Sequence, residues 1–362
     1  MKNLLKKDFI KKIIVFKFGG IGDYVNMLPF LEDLRNYYPD IEITAITSPQ
    51  GKELLENGGH VDKCIVSDIF YLQGAESVFS LRALRDILDI RKKLEPPYDI
   101  YIDLVSKYSR AGTMKPLIIK LLSHPRFSIG LSYRNRGFFL DSKIPEYRDQ
   151  PKHNIERYND ILRELGASPE FHLPQIIPSE KAREKANAFF NEFEGKTKIG
   201  LHPGANAKYF YHRAWPVERF AELTELIEKE NDCVFFASGA AQEEKLVKKL
   251  QNISPVIINL LPREAKVVDF CAYLAKLDCF ISNDTGPMHL AIAMGIPTVG
   301  IFGRADFNSY GTYPENFPFK AVVLEGGGFH SPSPSEEDPR GLLEIQALDV
   351  FEKFKELKNA LK

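Results

Sequence analysis

The sequence predicts two α/β domains in tandem, each a parallel sheet covered by helices. Three observations carry that reading. Short apolar runs alternate with stretches of helical periodicity along most of the chain. Several of these runs are apolar at every position, the pattern of strands buried on both faces. The alternation starts afresh near residue 198, and 362 residues exceed what one ordinary core holds.

The first half opens with a strand at 13–18 (IIVFKF), then the turn Gly19-Gly20-Ile21-Gly22-Asp23 and a helix over 25–39. Strands follow at 41–47 and 61–66, then a helix around 81–94 and a strand within 98–105. Segments 67–80 and 106–116 read as specificity loops. A further helix ends at Gly166, and the proline-rich stretch 168–180 marks a boundary, giving domains 1–172 and 173–340. The second half runs through strands at 198–204, 233–239 and 256–260, with helices at 215–231, 241–251 and 267–276. Strands 279–282 and 298–302 then enclose the polar elbow Asn283-Asp284-Thr285-Gly286 and a helix of small residues. Residues 325–341 read as a mobile loop, and the amphipathic helix in 341–362 is expected to pack back on the first domain. Two Rossmann-like halves of this kind face a cleft at their strand C-termini.

Composition narrows the function. Hydrophobic residues make up 44% and charged residues 27%, as in a soluble globular protein. A net charge of −1 gives no global basic field, which argues against a nucleic-acid partner. Cys64, Cys233, Cys271 and Cys279 form no CxxC pair and read as reduced core residues of a cytoplasmic protein. No apolar run approaches the ~20 residues that span a bilayer. The opening MKNLLKKDFIKK lacks the apolar core of a signal peptide. It reads as a solvated basic helix, the alternative being a helix resting on the inner membrane.

The elbow carries the strongest chemistry. Asp284 and Thr285 can cap the following helix, Gly286 lets a ligand reach the backbone, and Pro287 suits the first turn. The exposed N–H groups and the positive end of the helix dipole then favour a phosphate, with His289 one turn on. The competing reading is a well-capped connection that binds nothing. The first glycine turn invites a dinucleotide reading that fails twice. Val25 stands where a third glycine belongs, and Thr47-Ser48 offers no acid for a ribose. Asp23 can instead serve as a general base, or simply as a helix cap. Gly204 ends a strand beside the elbow, Arg213 precedes the only tryptophan, and Glu243 opens a helix after a strand. Arg213 can reach a diphosphate and Glu243 ribose hydroxyls, so the set points to a nucleotide diphosphate. Arg110, Lys115, Arg134 and Arg136 read as solvated charges, with acidic acceptor groups as the alternative.

The ordered segments FGGIGDYVNMLPFLEDLRNYYP, YDIYIDL, RFSIGLSYRNRGFFL, HNIERYNDILRELG, GLHPGANAKYFYHRAWPVERFAEL, SGAAQEE and SNDTGPMHLAIAMGIPTVGIFG resemble glycosyltransferase family 9, the ADP-heptose:lipopolysaccharide heptosyltransferases. The resemblance spans residues 13–305. It implies a GT-B fold, two Rossmann-like domains facing a cleft, and inverting transfer from a nucleotide-sugar donor with no metal or cofactor. The implied acceptor is a glycan or lipid-linked glycan. Asp23 then matches the catalytic base, and Arg213, Asp284, Thr285, Gly286 and His289 match the diphosphate contacts. Glu243 matches the ribose contact. Two departures lie where the family sets its donor: Arg304 replaces a usual proline, and the insert 207–212 is long and aromatic. The absence of any Asp-x-Asp pair weakens a metal-dependent reading. A nucleotide-sugar-binding protein without turnover, or a GT-B-shaped epimerase, remains as the alternative.

Overall fold

A computed structural model describes residues 9–67, 80–106, 110–146, 152–205, 214–260, 266–302, 307–311, 313, 318–323 and 340–361. The chain divides into two units, Met1–Pro174 and Gln175–Lys362. The first holds β1 (Lys12–Phe16), β2 (Glu42–Thr47), β3 (Lys63–Val66), β4 (Ile100–Asp103), β5 (Phe127–Ser132) and β6 (Ser142–Pro145). These form one parallel sheet in the order β3-β2-β1-β4-β5-β6. The second holds β7 (Thr197–His202), β8 (Cys233–Ala237), β9 (Ile257–Asn259), β10 (Cys279–Asn283), β11 (Thr298–Phe302) and β12 (Phe319–Val323). Its sheet, also parallel, runs β12-β11-β10-β7-β8-β9. Counted from the start of each unit, both follow the doubly wound order 3-2-1-4-5-6. The order reverses between β1 and β4 and between β7 and β10, so each unit has one crevice at its strand C-termini.

The uniformly apolar runs are the central strands. Ile13, Ile14, Val15 and Phe16 of β1 are all buried, as are Phe280 and Ile281 of β10. The edge strand β6 is half exposed and ends on Pro145, which suits a strand paired on one side only. The helix after the glycine turn is two helices, Ile21–Val25 and Leu28–Tyr37, with Pro29 in the first turn of the second. The reading of 106–116 as a loop needs correction, because the helix Arg110–Ser123 begins inside it. That helix carries Pro116, whose carbonyl accepts the Tyr101 hydroxyl at 3.0 Å.

The last helix, Ala347–Ala360, packs within the second unit, against the helix Val217–Glu228 and against β11 and β12. Val350, Phe351, Phe354 and Leu357 share a core cluster with Ile199, Phe220 and Ile281. Its apolar face therefore belongs to the domain that precedes it in the chain, where the sequence pointed to the first domain. Of the stretch 325–341 read as a mobile loop, residues 325–339 lie outside the described residues, as do the basic residues 1–8, and the loop's last two residues open the helix Arg340–Glu344. Among the described residues no helix is long and apolar enough to cross a membrane. All four cysteines are free thiols, and burial pushes Cys64 and Cys279 up to about 12.

Candidate active site

In the first unit the crevice is lined by the turn after β1. Gly20 caps the short helix, and Asp23 at its third position accepts the Gly20 N–H through Oδ2 at 2.9 Å. Oδ1 of Asp23 receives the Lys17 ammonium at 3.1 Å. Lys17 interrupts an apolar run, and its side chain is 7% exposed against 20% for Asp23. Its Nζ also donates to the Leu104 carbonyl at 3.4 Å, at the end of β4, and lies 5.5 Å from the Tyr158 ring centre. Burial drives the Tyr158 phenol well away from ionisation, so it stays neutral under the cation. Gly19 is demanded by this packing, because a Cβ there would stand 2.4 Å from Asp23 Oδ2. Gly22 is buried, and a Cβ on Gly20 would meet open space. Glu146, whose charge bears on Tyr158, accepts from Ser106 Oγ at 2.6 Å and from Arg157 at 3.3 Å. Asp23 is thus both a helix cap and a carboxylate poised between a cation and an amide.

In the second unit, β7 and β10 are neighbours with Ser282 opposite His202, so the turn after His202 lies beside the elbow. Asn283 joins them. Its Nδ2 donates to the carbonyls of Pro203 (2.9 Å) and Gly204 (3.2 Å), and its Oδ1 accepts the Trp215 N–H (3.1 Å). The helix Gly286–Ala293 starts from Thr285, which makes no capping bond through its side chain. The Thr285 hydroxyl instead donates back to the Asn283 carbonyl at 3.3 Å, so the expected threonine cap is corrected. Asp284 and His289 are both buried, with Oδ1 and Nε2 3.9 Å apart. The His289 ring meets Tyr310 edge-on at 6.0 Å.

Gly204 and Glu243 are in direct contact, since a Cβ on Gly204 would stand 2.1 Å from Glu243 Oε1. Oε2 of Glu243 accepts the Ala240 N–H at 2.8 Å and lies 3.9 Å from His202 Nε2. Burial holds His202 below its ordinary range and therefore neutral. Its Nδ1 lies 3.1 Å from the Ser238 carbonyl oxygen, which only accepts, so Nδ1 carries the proton. Nε2 then presents a lone pair beside a carboxylate, and two acceptors side by side call for a donor between them.

The structure thus groups Asp284, Thr285, Gly286 and His289 at one strand end and Gly204 with Glu243 along the same sheet edge. Gly19, Gly20, Gly22 and Asp23 line the crevice of the first unit. Arg213 and the insert 207–212 lie outside the described residues, as does Arg304. Sequence reasoning missed Lys17, the bridging role of Asn283 and the tautomer of His202. A lone lysine in an apolar strand was a usable signal for the first. Arg134 and Arg136 stack on the Tyr133 ring at 5.3 and 5.8 Å, and burial lowers Lys115. Among the described residues no group of three or more His, Cys, Asp or Glu is placed to hold a metal ion.

The model of the family described as "Glycosyltransferase family 9 (heptosyltransferase)" matches residues 87–323, well over half of the chain. The lipooligosaccharide heptosyltransferase 2 of Campylobacter jejuni is 32% identical over 319 residues, covering 87% of each chain. The family 9 glycosyl transferase structure from Veillonella parvula has a TM-score of 0.75 at 22% identity, over 96% of this chain and 97% of that one. The E. coli heptosyltransferase solved with ADP has a TM-score of 0.70 at 19% identity, over 96% and 99%. The fold is GT-B, and the chain belongs to glycosyltransferase family 9, the heptosyltransferase family.

Proposed function

We propose that this glycosyltransferase moves heptose from ADP-heptose to a lipooligosaccharide or lipopolysaccharide core acceptor, with inversion and without a metal. The observation that carries the donor half is the elbow after β10. There a helix N-terminus, its threonine turned away, meets the buried Asp284–His289 pair. First-turn N–H groups and the helix dipole suit a diphosphate. The ribose hydroxyls are the donors that suit the paired acceptors His202 Nε2 and Glu243. Arg213 joins the phosphate contacts by family resemblance.

In the transfer step Asp23 accepts the proton of the acceptor hydroxyl, whose oxygen attacks the anomeric carbon opposite the nucleotide. The bond from that carbon to the diphosphate oxygen breaks, and ADP departs with the electron pair. The elbow stabilises the charge growing on the leaving group, and the role needs no bound cation. Lys17 holds the Asp23 carboxylate in position through its 3.1 Å contact. With a lipid-linked acceptor, the proposed place of work is the cytoplasmic face of the inner membrane. Both alternatives, binding without turnover and epimerisation, lack the support that family membership gives transfer.

Calorimetric titration of ADP, GDP and UDP into the wild type and Asp284→Ala tests the donor half. ADP is expected to bind best, and the substitution to abolish binding. A preference for GDP or UDP removes the heptose, and no binding removes the phosphate site. Asp23→Asn is expected to bind ADP as the wild type does while transfer falls on the order of a thousandfold.

A further inference from the structure

The helix Leu81–Lys93 packs on the edge strand β3 through one face only. Ala83 and Ile90 are buried, and Ile90 joins Ile14, Phe16 and Ile65 in the core. The opposite face is apolar as well. Leu81 is 78% exposed, Leu84 53% and Leu88 48%. At 100° per residue these three leucines fall within an arc of about 60°. Arg85 and Lys92 border that arc on one side and Arg91 on the other, each within about 40° of it. All three cations are exposed, and among the described residues none of them is held in an ion pair. The acids of the helix are engaged elsewhere: Asp89 pairs with Lys93, and Asp86 accepts from Ser67 Oγ.

We infer that this helix face is a docking surface for an anionic lipid bilayer. The leucines enter the boundary between headgroups and acyl chains, and the long basic side chains reach the phosphates on either side. Charge complementarity selects this occupant. A second copy meeting the same face about a two-fold axis would bring Arg85, Arg91 and Lys92 against their own kind. Acceptors carried on a lipid would then be met at the surface where they reside. The inference stands apart from the donor assignment, because nothing in it involves the second unit.

Sedimentation of the full chain with vesicles tests it. Vesicles of phosphatidylglycerol with phosphatidylethanolamine are compared with vesicles of phosphatidylcholine, each at low and high salt. The wild type is expected to bind the anionic vesicles, to release with salt and to leave phosphatidylcholine alone. The double variant Leu84→Glu/Leu88→Glu, both sites being exposed, is expected to lose more than about tenfold in partition. Arg85→Glu/Arg91→Glu is expected to lose both binding and its salt dependence. ADP affinity and the far-UV circular dichroism of each variant report separately on the donor site and the fold, and neither should move. Equal binding of the leucine variant and the wild type overturns the proposal, as does equal binding to both lipids. A wild type that self-associates through this face, with variants that do not, assigns it to a second copy and overturns it too.

Discussion

Gly19 and Asp23 constrain each other. Gly19→Ala sets a methyl group 2.4 Å from the Asp23 carboxylate, which must leave either Lys17 or the Gly20 amide. Steady-state kinetics should show kcat reduced by about tenfold to a hundredfold with ADP affinity unchanged, since geometry at the proposed base is lost and the proposed donor site is untouched. Asn283 is the corresponding residue of the second unit. Its amide satisfies two carbonyls and one N–H, all buried, so Asn283→Ala should cost about 3 kcal/mol in urea denaturation and weaken ADP binding. Asp23 and the elbow were legible in the sequence because each sits at a strand-to-helix turn, where chemistry is local. Asn283 was visible as part of the elbow, but its role was not, because its partners lie 68 and 80 residues away. Thr285 has the residue type of a cap and was misread for that reason. Its hydroxyl found a nearer acceptor in the Asn283 carbonyl.

The segment that leads out of the first unit is tied down by a titratable group. His172 meets Glu32 Oε2 at 3.1 Å and Asp33 Oδ1 at 3.3 Å, both on the helix Leu28–Tyr37. The Glu32 hydrogen bond and the two carboxylates raise His172 to about 9. Asp33 is itself raised, chiefly by burial, and Glu170 and the His60 ring, 3.7 Å from Glu32, are the other titratable groups facing the pair. Because the folded value exceeds the unfolded one, the stabilisation is complete below about pH 6.5 and fades as pH rises through about 9. The melting temperatures of the wild type and His172→Gln should differ most near pH 6 and converge above pH 9, as read by thermal denaturation across pH.

Among the secondary elements, the long apolar strands and the periodic helices were readable from pattern alone. The helix Pro49–Glu56 was not, since Pro49 and Gly51 look like loop residues until Ser48 is seen to cap it. The helix Glu180–Phe190, the buried strand β5, the edge strand β6 and the strand β12 were also missed. β6 is short, half exposed and patterned like a loop. The helix Arg110–Ser123 was hidden by Gly112 and Pro116, which its packing tolerates.

At the level of the molecule, one sheet plan serves twice. The first unit's core gathers Ile14, Phe16, Ile46 and Tyr101, and the second's gathers Ile199, Phe235, Ile281 and Phe354. A ligand held wholly by one unit stabilises that unit alone. Scanning calorimetry with ADP at a hundred times its dissociation constant should add about 2.7 kcal/mol to the second unit and raise its transition by several degrees. The transition of the first unit should stay in place.

The chain contains a single tryptophan, and it is Trp215. Its indole is 1% exposed, stacks edge-on against Phe220 at 4.9 Å and donates through Nε1 to the Ile345 carbonyl. Its peptide N–H is bound by Asn283, the residue that also binds the Gly204 turn. Ultraviolet emission excited at the red edge therefore comes from one point of the second unit, while the fifteen tyrosines are spread over both units. The protein carries its own optical gauge of the second unit, requiring no label.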